Sequence, residues 1–240
     1  TYYKEGIYVG YRYFDTVGHV PAYPFGYGAG YTTFTVEPKS MTADAEKVTV
    51  TATVKNTGDK AGKEVVQVYY SAPEGNLDKP YQELAGYAKT KELAPGGIED
   101  VTVTFETESM ASYCVKCASY VMEKGTYFVR VGNCSRNTHI AGAVVLDETK
   151  VIEKDKNICG DSGFEDLKPE KTPFTYEGEE QEKENAVRIE IKAADLAVKE
   201  VAYQEVPAEI PAGPSVKWDE VVSGSKSLDE FVAGLTDEQM

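Results

Sequence analysis

The sequence predicts a mainly β fold: an antiparallel β-sandwich with an N-terminal strand, an extended linker and a short C-terminal helix. Three observations carry that expectation. Short apolar/polar alternations recur between residues 35 and 146, each ended by a turn signal. β-Branched and aromatic residues fill them, as half-buried pleated surfaces favour. Only near the C-terminus does an apolar period of the helical kind follow a capping pattern.

Residues 1–16 place Ile7, Val9, Tyr11 and Tyr13 on one face of a strand and Tyr8 and Phe14 on the other. A strand apolar on both faces needs cover on both sides. It is therefore expected to be the final strand of a larger body. Residues 17–34 form a junction. In it Phe25, Tyr27, Tyr31 and Phe34 interleave with Gly26, Gly28 and Gly30. Glycine permits close backbone approach, and aromatics bury large flat areas. The junction is expected to pack on the first sheet of the sandwich with Phe25, Tyr27 and Phe34 largely buried.

Within 35–146, Val48, Val50, Ala52 and Val54 alternate with Thr49, Thr51 and Thr53, and Asn56-Thr57-Gly58-Asp59 then turns the chain. Val66, Val68 and Tyr70 share the next face. A weaker strand with Leu84 and Tyr87 follows. Ala94-Pro95-Gly96-Gly97 leads into Val101, Val103 and Phe105. Glu123-Lys124-Gly125 leads into Tyr127, Val129 and Val131. Ile140 to Leu146 closes the set.

Residues 147–215 change character. The stretch is acidic and turn-rich, with scattered apolar residues such as Ile158, Phe164, Leu167, Phe174 and Tyr176. That composition suits a linker lying over surfaces. Val187, Ile189 and Ile191 suggest a short strand, and Val201 and Tyr203 another before Pro207 and Pro211. In 216–240, Ser227 and Glu230 form a capping box. Leu228, Phe231, Val232 and Leu235 then repeat on one helical face. Thr236 and Gln239 form a second candidate box just before Met240, which reads as a lead-in to a further domain.

Composition narrows function. Forty acids against 25 bases give a net charge of −15, the opposite of a nucleic-acid footprint. No apolar run approaches a membrane span. Cys114-x-x-Cys117 is half of a zinc pattern without its second pair. Neither His19 nor His139 lies near it in sequence. Cys114, Cys117, Cys134 and Cys159 are expected to be free thiols in a reducing, cytoplasmic compartment.

Glu5-Gly6-Ile7-Tyr8-Val9-Gly10-Tyr11-Arg12-Tyr13-Phe14-Asp15, followed by Pro24-Phe25-Gly26-Tyr27-Gly28-Ala29-Gly30-Tyr31-Thr32-Thr33-Phe34, closely resembles the junction of family 3 glycoside hydrolases, the β-glucosidase and β-xylosidase family. Ala29-Gly30 stands where that family usually has Leu-Ser. The runs K-E-V-V-Q-V-Y at 63–69 and Y-F-V-R-V-G at 127–132 resemble the family's fibronectin-III-like domain. Trp218 to Met240 resembles the lead-in to the catalytic barrel of members with inverted domain order.

The resemblance implies a retaining, β-glucosidase-type hydrolase acting on terminal β-D-glucosyl or related residues. Such enzymes use two carboxylates about 5–5.5 Å apart. In this family the nucleophile is a barrel Asp and the acid/base a Glu of an α/β-sandwich. No position here matches either motif, so no catalytic, substrate-binding or metal-binding residue is assigned, and no cofactor is expected. The implied partners are the α/β-sandwich and barrel domains of the same enzyme. Self-association is expected as well. An alternative is an independent sandwich that binds carbohydrate or a protein partner. The acid pairs Glu5 with Asp15 and Glu64 with Asp78 read as solvated or turn residues. Arg12 is expected to pair with a carboxylate or stack on an aromatic.

Overall fold

The computed structural model describes residues 3–157, 163, 165–202, 213–236 and 238–240. Its contacts divide the chain into two units, Thr1–Val201 and Ala202–Met240.

The first unit is built on two sheets. β1 (Phe34–Ala43), β2 (Lys47–Asn56) and β5 (Ile98–Glu106) form an antiparallel three-stranded sheet in the order β1-β2-β5. β3 (Val65–Ser71), β4 (Glu83–Lys89), β8 (Gly125–Cys134), β9 (Asn137–Leu146) and β11 (Arg188–Ile191) form the second, in the order β11-β9-β8-β3-β4. β11 joins β9 in parallel; the other pairs are antiparallel. A smaller sheet holds β6 (Ser112–Cys114), β7 (Ser119–Met122), β10 (Lys150–Lys154) and β12 (Lys199–Glu200).

The expected alternations build the core. Val48, Val50, Ala52 and Val54 of β2 point inward with Val101, Val103 and Phe105 of β5. They meet Val66, Val68, Tyr70, Tyr127, Val129 and Val131 of the facing sheet. The threonines of β2 line its outer face, where Thr49 pairs with Thr104 and Thr51 with Thr102, each at 3.0 Å. Cross-strand hydroxyl pairs of this kind stabilise a solvated sheet face.

β3 departs from that pattern. Val66 through Tyr70 are all buried, so the strand is covered on both faces. The outer cover comes from the N-terminal segment and the junction: Tyr11 meets Tyr69 edge-on, and Gln67 donates to the Gly26 carbonyl.

Residues 3–16 do not form the expected strand. Tyr11–Thr16 is a short helix, α1. Gly6 (φ 55) and Gly10 (φ 60) take the left-handed conformation that glycine adopts most readily, which breaks an extended path. No strand runs beside this segment among the described residues, so its amides find partners locally. Tyr13 and Phe14 donate to the Gly10 carbonyl, and Thr16 Oγ1 returns a bond to the Arg12 carbonyl at 2.5 Å.

Two further expectations are corrected. Phe25 and Tyr27 are 46% and 54% exposed, and Phe34 is half-buried. The junction also lies on the five-stranded sheet, since Ser135 N of the β8–β9 turn donates to the Phe25 carbonyl at 2.9 Å. Its backbone and glycines make the close approach, while the rings turn outward. Cys114 and Cys117 are a disulfide rather than free thiols. The 3₁₀ turn at Val115–Cys117 brings their Cα atoms to 5.4 Å, inside the range a disulfide spans. The cytoplasmic expectation loses that support. Cys134 is a buried thiol, and burial pushes its pKa up. Cys159, like Ile158, Phe164, Tyr203, Pro207 and Pro211, lies outside the described residues.

Within the stretch expected to be a linker, β10, β11 and a helix, α2 (Glu179–Asn185), are ordered against the sandwich. In the second unit, α3 (Trp218–Val222) and α4 (Leu228–Ala233) meet through an edge-on Trp218–Phe231 contact at 5.4 Å. The Ser227–Glu230 capping box is complete: Glu230 N donates to Ser227 Oγ, and Ser227 N to the Glu230 carboxylate. At Thr236 the box is half made, with its N–H on Gln239 Oε1 at 2.9 Å. No helix among the described residues is long and apolar enough to cross a membrane.

Candidate interdomain interface

The N-terminal segment is joined to the sandwich by polar groups. Tyr8 is buried, and its hydroxyl donates to Asp78 at 2.7 Å. The Tyr11 hydroxyl accepts from Leu84 N, and Thr16 Oγ1 accepts from Tyr81 N. Arg12 pairs with Glu83 at 3.3 Å, as expected. Asp15 is not a solvated acid. It is buried, takes a 2.6 Å bond from Arg136 Nε, and accepts from Gln82 Nε2. Glu5 is exposed and does not share that pocket of contacts. Glu64 caps Val65 N at 2.8 Å, while Asp78 serves Tyr8 and Lys171. Each of these acids except Glu5 therefore organises backbone or neighbouring side chains.

Gln67 ties the junction to the sheet. Its Nε2 donates to the carbonyls of Asn133 (2.7 Å) and Gly26 (3.3 Å), and its Oε1 accepts from the Tyr69 hydroxyl. A Cβ on Gly26 would sit 2.3 Å from that amide. Tyr11 stacks on Phe25 at 4.6 Å and meets Tyr69 edge-on at 5.9 Å.

A second seam lies beneath the 165–185 chain. Arg130 of β8 and Glu179 at the start of α2 are both 1% exposed and bond at 2.6 Å. Arg130 Nε donates to Ser71 Oγ at 2.9 Å, and its guanidinium lies over the Tyr81 ring. Burial pushes the Glu179 carboxyl up. The Arg130 charge, together with hydrogen bonds from Arg130, Thr175 and Tyr81, overcomes that and holds it at about 2. Nearby, Glu123 takes Lys79, Asn76 N and Leu77 N, so that the β3–β4 loop wraps around one buried carboxylate. Burial raises the Glu123 pKa too, but these donors bring it below the ordinary range. No local pattern marks Glu179 or Glu123 in the sequence; each looks like one acid among many.

Above the seams the surface is apolar. Val9, Phe14, Val20, Tyr23, Phe25 and Tyr27 are exposed, and Tyr23 packs on Tyr27 at 5.1 Å. Val9, Tyr13 and Phe14 border an open groove of about 770 Å³. These exposed rings and valines sit on a segment that buried hydrogen bonds hold in place.

Residues 64–135 match the fibronectin type III-like domain model. Over 99% of its length the chain is 33% identical to β-glucosidase A of Butyrivibrio fibrisolvens, covering 33% of that protein. It superposes on a β-glucosidase from Paenibacillus barengoltzii with a TM-score of 0.65 and 32% identity, over 99% of this chain and 27% of that one. The chain is similar to the family 3 β-glucosidases along nearly its whole length. A structure of β-glucosidase 3B from Thermotoga neapolitana in complex with glucose matches 62% of this chain, and 21% of its own length, at 46% identity and a TM-score of 0.57. The chain thus spans about a third or less of the relatives it matches. The likeness runs through the N-terminal segment, the fibronectin-like sandwich and the second unit alike.

Proposed function

We propose that this chain is the non-catalytic supporting region of a β-glucosidase-type hydrolase, and that its exposed aromatic face is where a further domain of that enzyme packs. The observation that carries the reading is the junction: polar below, where it is fixed to the sandwich, and aromatic above, where it is uncovered. An aromatic surface held by buried hydrogen bonds is preorganised for docking. Support of this kind matters for catalysis, because displacement of a catalytic group by about 1 Å costs about a hundredfold in rate. The relatives' names as β-glucosidases support a parent acting on terminal β-D-glucosyl residues.

Uncovered, this face associates with itself. Sedimentation velocity of the 240-residue chain should show concentration-dependent association. The triple variant Val9→Ser, Phe14→Ser, Tyr27→Ser should remain monomeric at the same concentrations. Equal behaviour of the two proteins would remove the argument for a docking face.

A further inference from the structure

A second feature lies apart from the aromatic face. A cavity of about 480 Å³ opens beside the Arg130–Glu179 seam, within the size range of small-molecule sites. Four cationic side chains, Lys79, Arg130, Lys171 and Lys183, contribute to its wall, against one acid, Glu74. Two of the cations are neutralised by buried carboxylates, Lys79 by Glu123 and Arg130 by Glu179. The other two have at least one solvated partner each. Lys171 reaches Glu74 and Asp78, whose side chains are 79% and 42% exposed. Lys183 shares the buried Glu179 with Arg130 and otherwise bonds Glu180, which is 80% exposed. Solvated partners hold a lysine only weakly, so the Lys171 ammonium is free to turn, while Lys183 stays on the rim beside Glu179. Arg130 is fixed by Ser71 and Glu179, yet its buried Nη1 has no hydrogen-bond partner among the described residues. Buried donors left unmatched in a native protein call for a reason.

We propose that this cavity binds a small oxyanion, a phosphoryl or carboxylate group on a small molecule. Lys171 closes on it from the rim beside Lys183, and Arg130 supplies the fixed charge behind them. A planar guanidinium already set by two bonds suits such a ligand.

The test is calorimetric titration of the 240-residue chain with sodium phosphate and, separately, sodium glucuronate, at constant ionic strength held with sodium chloride. Saturable binding of one ion per chain is expected for at least one probe. Phosphate alone would assign a phosphoryl ligand, and glucuronate alone a carboxylate. Lys171→Gln with Lys183→Gln should weaken binding about tenfold or more, with the far-ultraviolet dichroism unchanged. Amide shift changes on titrating the unaltered protein should centre on Ser71, Thr126 and Arg130, which keeps the site testable if the double variant does not fold. The absence of saturable heat with both probes overturns the proposal. So does undiminished affinity in a folded double variant, or shift changes that lie elsewhere.

Discussion

Glu179 shows how much one residue depends on its setting. Its carboxyl is held at about 2, against an ordinary value of 4.5. A carboxyl lowered on folding stabilises the native state above its unfolded pKa, and the contribution disappears as pH falls through the native one. The window here runs from about 4.5 down to about 2. Glu179→Gln leaves the Arg130 charge buried without its counter-charge, a loss of about 3–5 kcal/mol near neutral pH. Denaturant titrations at a series of pH values should therefore show a large gap between variant and parent at pH 7 that narrows between pH 4.5 and 2. A constant gap would mean the pair contributes no pH dependence. Gly26 is a second case. It sits at φ 82, where any side chain pays about 1–2 kcal/mol, and its missing Cβ makes room for the buried Gln67 amide. Gly26→Ala should lower the unfolding midpoint by more than the backbone cost alone.

At the scale of elements, alternation was the readable signal and long-range pairing was not. The valines of β2 and β5 declared their inward face because a sandwich strand buries every second residue. The capping box at Ser227 was equally plain, being complete within four residues. α1 is not legible in the sequence because Ile7, Val9, Tyr11 and Tyr13 alternate like a strand, while the absence of a ladder partner among the described residues is a property of the fold. The exposure of Phe25 and Tyr27 is not legible for a related reason. Spacing says that aromatics turn to two sides, but not whether both sides are occupied. Phe25 still stacks on Tyr11, so Phe25→Ala should cost about 0.5–1.5 kcal/mol rather than the several expected of a core ring. At the β6–β7 turn both sulfurs are engaged. Elemental analysis of the oxidised protein should accordingly find no stoichiometric zinc on Cys114 and Cys117; about one zinc per chain would contradict the disulfide.

At the scale of the whole molecule, the buried acids among the described residues serve as ties. Asp15, Glu123 and Glu179 each meet a cation and further donors, which is how carboxylates are used to fix loops. A retaining glycosidase instead keeps one carboxyl protonated for its leaving group. The chain is accordingly expected to leave aryl β-glucosides intact, as followed by release of the chromophore. Turnover that persists after rigorous repurification would show that a working pair exists among its acids.

The parallel pairing of β11 with β9 has a consequence in time. Arg188 to Ile191 reach Ala143 to Leu146 only after the chain has travelled through β10 and α2. Closing so long a loop costs entropy before any contact repays it. Hairpins such as β8–β9 need no such excursion. The molecule is therefore expected to assemble its sandwich first and to lay β11 along the edge last, drawing Glu179 toward Arg130 on the way. In native-state hydrogen exchange the order should run backwards: the amides of 188–191 open at lower free energy than those of Tyr127 to Val131. Until that final strand is laid, the edge of β9 stands open to any other extended chain.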